Sequence, residues 1–230
     1  MSARARKHDF GNTVLHQAMK LLVLGASGGV GKHLVSLACD QGHLVTALVR
    51  RADGVDSRAS IRIDDVLRPG CLDEHVRGYD VVLSALGIKR AHPVNPWSAL
   101  TSPEDLSSRT AAMLVEAMRQ HGLARVIAVS AAGVADSAAH MNLLMKFVAT
   151  SNVGVAYRDL EAMERVFSGS GLDWCCPRPT RLTHGPLTKS VKVAESFPMT
   201  AGISRADVAW WMLAHVARPS RDRTPMIARG

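Results

Sequence analysis

The chain is short of long apolar runs, of aromatic residues and of cysteine. No apolar stretch approaches the roughly 18–20 residues that a bilayer-spanning helix needs, which excludes an integral membrane protein. Aromatic residues make up 4% of the 230, and only two of them are tyrosines, Tyr79 and Tyr157. There are four cysteines: Cys39 and Cys71 stand alone, while Cys175 and Cys176 are adjacent. No zinc or redox spacing results, so reduced thiols in the cytoplasm are expected. The ten histidines form no His-Glu-x-x-His or other paired-ligand spacing, and no metal is expected. The basic start (Arg4, Arg6, Lys7) is followed by no continuous apolar stretch, so a secretory signal is not expected. The net charge is +8, but the arginines are dispersed and no lysine-rich stripe exists. The expectation is a solvated basic surface that attracts anions, with no nucleic-acid partner.

What is present is a well-ordered alternation. Hydrophobic residues make up 47% of the chain, which excludes a disordered polymer, and the length suits a single α/β domain. Residues 1–18 show no periodicity and read as a flexible tail, leaving 19–230 as the domain. Leu21–Leu24 is a short apolar run, as in a buried parallel strand. Val30–Cys39 follows with helical spacing and stops at Gly42. Further strands are expected at Leu44–Val49, Ser60–Ile63, Asp80–Leu86, Arg125–Ser130 and Leu172–Cys176. Helices are expected at Ser107–His121, Arg158–Phe167 and Ser204–Val216, the last with Ser204 as its cap and Asp207 at the third helical position. Strands alternating with helices imply right-handed βαβ units: a Rossmann-like, doubly wound parallel sheet whose ligand lies beyond the carboxyl ends of the strands. Two loops leave that edge, 88–104 and 179–203, and are the candidate substrate loops.

The motif with chemical content is Gly25-Ala26-Ser27-Gly28-Gly29-Val30-Gly31, where the first strand meets the first helix. Gly25 permits a tight turn, Gly28 or Gly29 lets backbone approach a pyrophosphate, and Gly31 lets helix pack on strand. The helix start then offers N–H groups and a positive dipole to phosphates. The same residues match a nucleophile elbow around Ser27, but that elbow belongs on a later strand. They also fall short of a P-loop, because Ala26 and His33 stand where glycine and Ser/Thr are required. At the end of the second strand, where an NAD site usually has a carboxylate, stand Arg50 and Arg51. A guanidinium pairs well with a 2′-phosphate, so NADP(H) is the expected cofactor.

These residues carry a family resemblance. The chain resembles the atypical short-chain dehydrogenases of the NAD(P)-binding, NmrA-like group, and within it the flavin reductase/biliverdin-IXβ reductase type. The likeness spans Lys20 to Val216. Beyond the glycine loop it rests on Leu48-Val49-Arg50, Asp65-Val66-Leu67, Leu86-Gly87, Ser170-Gly171-Leu172-Asp173-Trp174, Arg178-Pro179 and Gly185-Pro186-Leu187-Thr188. It implies that Asp65 and Val66 touch the adenine, and that Ala85, Leu86 and Gly87 border the cofactor. It also implies that Ser130 lies near the nicotinamide and that Pro179 forms part of its wall. The expected partner is a small-molecule substrate, and the chain a monomer or homodimer. One departure matters. Tyr79 is followed four residues on by Leu83, and Tyr157 by Glu161, so the Tyr-x-x-x-Lys pair of carbonyl reductases is missing. The remaining candidates for catalysis are Ser130, Tyr157, Arg181 and His184. The expected activity is NADP(H)-dependent hydride transfer to a planar conjugated acceptor: a flavin, quinone or tetrapyrrole-like molecule. The alternatives are a redox sensor that binds NADP(H) without turnover, and an epimerase-like enzyme.

Overall fold

Six short segments pair side by side, the central ones, Leu21–Leu24 and Val81–Ser84, buried on both faces. A computed structural model describes residues 17–196, 198, 201–219 and 221–230; most of the expected tail, 1–16, lies outside them. The elements run in the order β1 (Lys20–Leu24), α1 (Gly29–Asp40), β2 (Leu44–Val49), β3 (Ser60–Ile63), α2 (Cys71–His75), β4 (Val81–Ser84), α3 (Leu106–Gln120) and β5 (Arg125–Ala128). A 3₁₀ turn (Ala135–His140), α4 (Leu143–Val148), α5 (Asn152–Ser168) and β6 (Asp173–Cys175) follow. The chain closes with β7 (Arg178–Pro179), β8 (Arg181–Thr183), β9 (Val191–Val193), β10 (Gly202–Ser204), α6 (Arg205–Ala214) and β11 (Met226–Arg229). The main sheet has the order β3-β2-β1-β4-β5-β6, all parallel. The order reverses between β1 and β4, which opens the crevice where such folds bind ligands.

The two-residue period of a strand sorts the core. Leu21 and Val23 point to a layer with Leu34, Val208 and Met212, under α1 and α6. Leu22 and Leu24 point to the opposite layer with Leu114, Met118 and Phe167, under α3 and α5. Both layers are made of buried apolar side chains, which hold the strand ends in fixed positions.

The observed helix α5 starts at Asn152 rather than Arg158, because Ser151 caps it, its Oγ accepting from the Val153 N–H at 3.2 Å. Strands β4 and β5 end two residues earlier than expected, and the two residues after β4, Ala85 and Leu86, line the crevice. The segment expected as a plain loop, 179–203, instead holds β8 and β9 and runs into β10. Strand β8 pairs with β10, and β9 pairs with β11 alongside β7. Ser204 caps α6 as expected: its Oγ accepts from the Asp207 N–H at 2.9 Å.

Candidate active site

The crevice between β1 and β4 is a cleft of about 780 Å³, including its open mouth. Its floor is Gly25, Ser27 and Gly28. One wall is Leu48, Val49 and Arg50 from the end of β2, with Asp64–Leu67 after β3. The other is Ala85, Leu86 and Gly87, with Lys89, Ser102, Pro103 and Leu106. The size and the largely apolar walls with a few charged groups suit a nucleotide.

The glycine loop has the geometry its sequence implies. Gly25 adopts φ +73°, and its carbonyl oxygen accepts from the Gly28 N–H at 2.9 Å. A Cβ on Gly31 would lie 2.1 Å from the Gly25 carbonyl oxygen, so only glycine lets α1 seat against β1. Ala26 and Val30 are buried and shape the loop from within. The Gly28 cap offers α1 no side-chain acceptor, and no acidic residue stands in the first turn. The amino end of α1 is therefore a set of donors waiting for an anion, and the bare loop leaves room for a diphosphate. The residues present fit a dinucleotide.

Of the two arginines after β2, Arg50 lines the cleft, whereas Arg51 is exposed and outside its lining. Residues 88–104 were expected to face substrate, yet Lys89, Ser102 and Pro103 wall the same cleft as Arg50. Lys89 and Ser102 went unremarked in the sequence because nothing local marks a loop residue that folds back over 40 positions of intervening chain. Asp65 and Val66 line the cleft. Asp64 beside them is held by Arg68, whose Nε and Nη2 donate at 2.9 and 2.6 Å, and by His75 at 3.1 Å. The Arg68 fork holds the Asp64 carboxyl well below the usual carboxylate range. Asp64, Cys71 and His75 bring their ligand atoms within 4.8 Å of one another, a grouping with no sequence signature. A cation there would have to displace Arg68, and burial pushes the Cys71 thiol up to about 12, so it stays protonated.

Ser130 lies just beyond β5, 4% exposed. Its hydroxyl donates to Glu164 Oε1 at 2.6 Å. Arg178 donates to the same carboxylate through Nε at 3.0 Å and Nη2 at 2.7 Å, and its Nη1 reaches Asp136 at 2.6 Å. Glu164 and Arg178 are both almost fully buried. The Ser130 proton is thus committed to Glu164, and its oxygen can only accept. Glu164 and Asp136 were missed in the sequence, and Arg178 was noted only as part of the Arg-Pro pair. The available signal was a glutamate on the same helical face as Met163 and Phe167.

Tyr157 is half-buried on α5. Its ring lies 3.1 Å from the point a Cβ on Gly133 would occupy, and burial pushes its phenol up while Arg90 pulls it back. Pro179 is buried in β7. Arg181 and His184 are exposed on and just after β8, outside the cleft lining.

Comparison with known proteins agrees with this geometry. The structure superposes on an anaerobillin reductase, ChuY, from Escherichia coli O157:H7 with a TM-score of 0.74 at 20% identity, covering 91% of this chain and 97% of that one. It superposes on the oxidoreductase ylbE from Lactococcus lactis with a TM-score of 0.75 at 17% identity, covering 92% and 91%. A wide-type short-chain dehydrogenase/reductase from Veillonella parvula, in complex with NADP, gives 0.71 at 17% identity, covering 92% and 94%. At such identities the likeness is one of fold. The sequence itself matches, over residues 25–219, a family described as NAD(P)H-binding, and the chain therefore belongs to the NAD(P)H-binding family.

Proposed function

We propose that the protein is an NADP(H)-dependent reductase that passes hydride to a planar, conjugated acceptor such as a flavin, a quinone or a tetrapyrrole. The observation that carries the NADP(H) part is Arg50. It lines the cleft at the end of β2, with Lys89 as a second cation in the same walls, and the β2 end has no carboxylate to hold ribose hydroxyls. When bound, the nicotinamide supplies the hydride. The chain's own groups hold and orient: the glycine loop and the α1 N-terminus take the diphosphate, Arg50 takes the 2′-phosphate, and Ser130 accepts a hydrogen bond at the nicotinamide end.

The acceptor class follows from what the protein offers in proton chemistry. The Ser130 proton is committed to Glu164 and no lysine supports either tyrosine. A conjugated acceptor, which stabilises the added electron pair itself, needs less acid catalysis than a ketone. The same committed serine favours a second reading, a sensor that binds NADP(H) without turnover.

The test is titration of NADPH and NADH into the wild type, Arg50→Ala and Arg51→Ala, followed by absorbance decay on adding flavin mononucleotide or a quinone. A charge-assisted contact is worth about 1.5–3 kcal/mol, so Arg50→Ala weakens NADPH roughly 10- to 100-fold and leaves NADH unchanged. Arg51→Ala stays within about twofold. Equal affinity of Arg50→Ala and wild type for NADPH sinks the NADP(H) assignment. Tight binding without decay on any acceptor selects the sensor.

A further inference from the structure

We propose that Arg205, the first residue of α6, reaches across the glycine loop to hold the diphosphate of the dinucleotide. The proposal rests on the cofactor reading above and extends it to a residue outside the motif. Its geometry is specific. The Arg205 side chain lies over Gly29: its Cδ and Nε stand 2.6 and 2.7 Å from the point a Gly29 Cβ would occupy. The bareness of Gly29 therefore admits the arginine as well as any phosphate. Arg205 Nη1 is buried and has no hydrogen-bond partner among the described residues.

A guanidinium in that place is electrostatically misfitted unless an anion joins it. The amino end of α1 carries partial positive charge, with no capping side chain and no acidic residue in its first turn. The nearest carboxylate in sequence, Asp207, is spoken for. Its Oδ1 accepts from the Thr188 and Lys189 N–H groups at 2.7 and 2.8 Å, and its Oδ2 from the Thr188 and Ser204 hydroxyls at 2.9 and 2.8 Å. Two positive elements thus meet at Gly29, next to Gly28 and Ser27 of the cleft floor. A diphosphate, with its charges and its row of acceptor oxygens, satisfies both: backbone N–H groups from α1 on one side and the planar fork of Arg205 on the other. Because α6 continues directly from β10, which pairs with β8, this contact ties the cofactor to the strands that follow β6.

The experiment is calorimetric titration of the full chain and of Arg205→Met and Arg205→Lys with three probes: NADPH, NADH and adenosine 2′-monophosphate. Arg205→Met is expected to weaken NADPH and NADH alike, by roughly 10- to 100-fold, because both contain the diphosphate. Adenosine 2′-monophosphate lacks it and binds the variant as it binds wild type. Arg205→Lys, which keeps the charge and the stem but loses the fork, falls between the two and guards against a folding defect in the methionine variant. This pattern also separates Arg205 from Arg50, whose loss affects NADPH alone. If Arg205→Met or Arg205→Lys binds NADPH within about twofold of wild type, Arg205 is a packing residue and the inference is wrong. An equal loss for adenosine 2′-monophosphate overturns it as well, since the effect then lies elsewhere in the cleft. Failure of the wild type to bind either dinucleotide removes the cofactor reading and this inference together.

Discussion

Substituting Glu164→Gln tests whether the polar network behind Ser130 is a structural necessity. Arg178 is 4% exposed and has two anionic partners, Glu164 and Asp136. The side chain of Asp136 is 83% exposed, so water screens its pairing with Arg178. Glu164, 7% exposed at its side chain, is the one partner that compensates the burial of the guanidinium. Removing one member of a buried pair costs about 3–5 kcal/mol because the other is left uncompensated. Asp136 retains part of the pairing, so the lower end applies, about 3 kcal/mol. For a domain of this size each kcal/mol lowers Tm by roughly 2–4 °C, giving a fall of about 6–12 °C. The measurement is thermal unfolding followed by circular dichroism at pH 7, read beside Glu164→Leu combined with Arg178→Met. The double variant removes both charges and leaves chiefly the Ser130 hydroxyl short of an acceptor, a cost of about 1 kcal/mol. It should therefore melt above Glu164→Gln. A Tm for Glu164→Gln within about 2 °C of wild type, or a double variant less stable than the single, refutes the reasoning.

Three further outcomes follow from contacts described above. Gly31→Ala places a methyl group 2.1 Å from a backbone oxygen that cannot move without breaking the β1–α1 turn. The variant is expected to lose several kcal/mol and with it the soluble folded yield, and a normal melting curve contradicts this. Asp207→Asn removes the charge from the acceptor of all four donors and turns one of its oxygens into an amide donor facing two of them. It should cost about 1–3 kcal/mol and speed tryptic cleavage at Lys189, an unchanged cleavage rate being the contrary result. Cys71, fully buried with its thiol pushed up to about 12, should resist iodoacetamide at pH 8 in the native protein and react once urea unfolds it; native alkylation seen by mass spectrometry counts against the assigned burial.

The parts of the fold legible in the sequence are those with a strong period. Strands β1, β2 and β4 are runs of mostly apolar residues because both faces of the parallel sheet are covered there, and helices α1, α3 and α5 between the strands carry one apolar stripe. The strands after β6 carry no such signal. Arg178–Pro179 and Val191–Val193 are two and three residues long, and each becomes a strand only by pairing with Met226–Arg229 from the far end of the chain. The site divides in the same way. The glycine loop reads directly, because its chemistry depends on backbone. The pair Arg50-Arg51 reads only in part. Arg50 lines the cleft together with Leu48 and Val49, while Arg51, one residue on in the bend after β2, lies outside its lining, a difference that two adjacent arginines do not reveal in sequence. Glu164 and Arg205 meet residues 14 and more than 170 positions away, distances at which local pattern is silent.

The pairing of β11 with β7 and β9 has a consequence for the birth of the protein. The six-stranded sheet has all its strands once synthesis passes Cys175, but β7 and β9 have no partner until Met226–Arg229 has been made. At about 5–20 residues per second, the missing segment of roughly 50 residues takes some 3–10 s to appear, and emergence from the ribosome adds to the delay. Over that interval the nascent chain already contains the glycine loop and Arg50, while α6 and β11 are still to be made. The six-stranded sheet thus stands for a time without α6, whose Val208 and Met212 complete one of its two apolar layers.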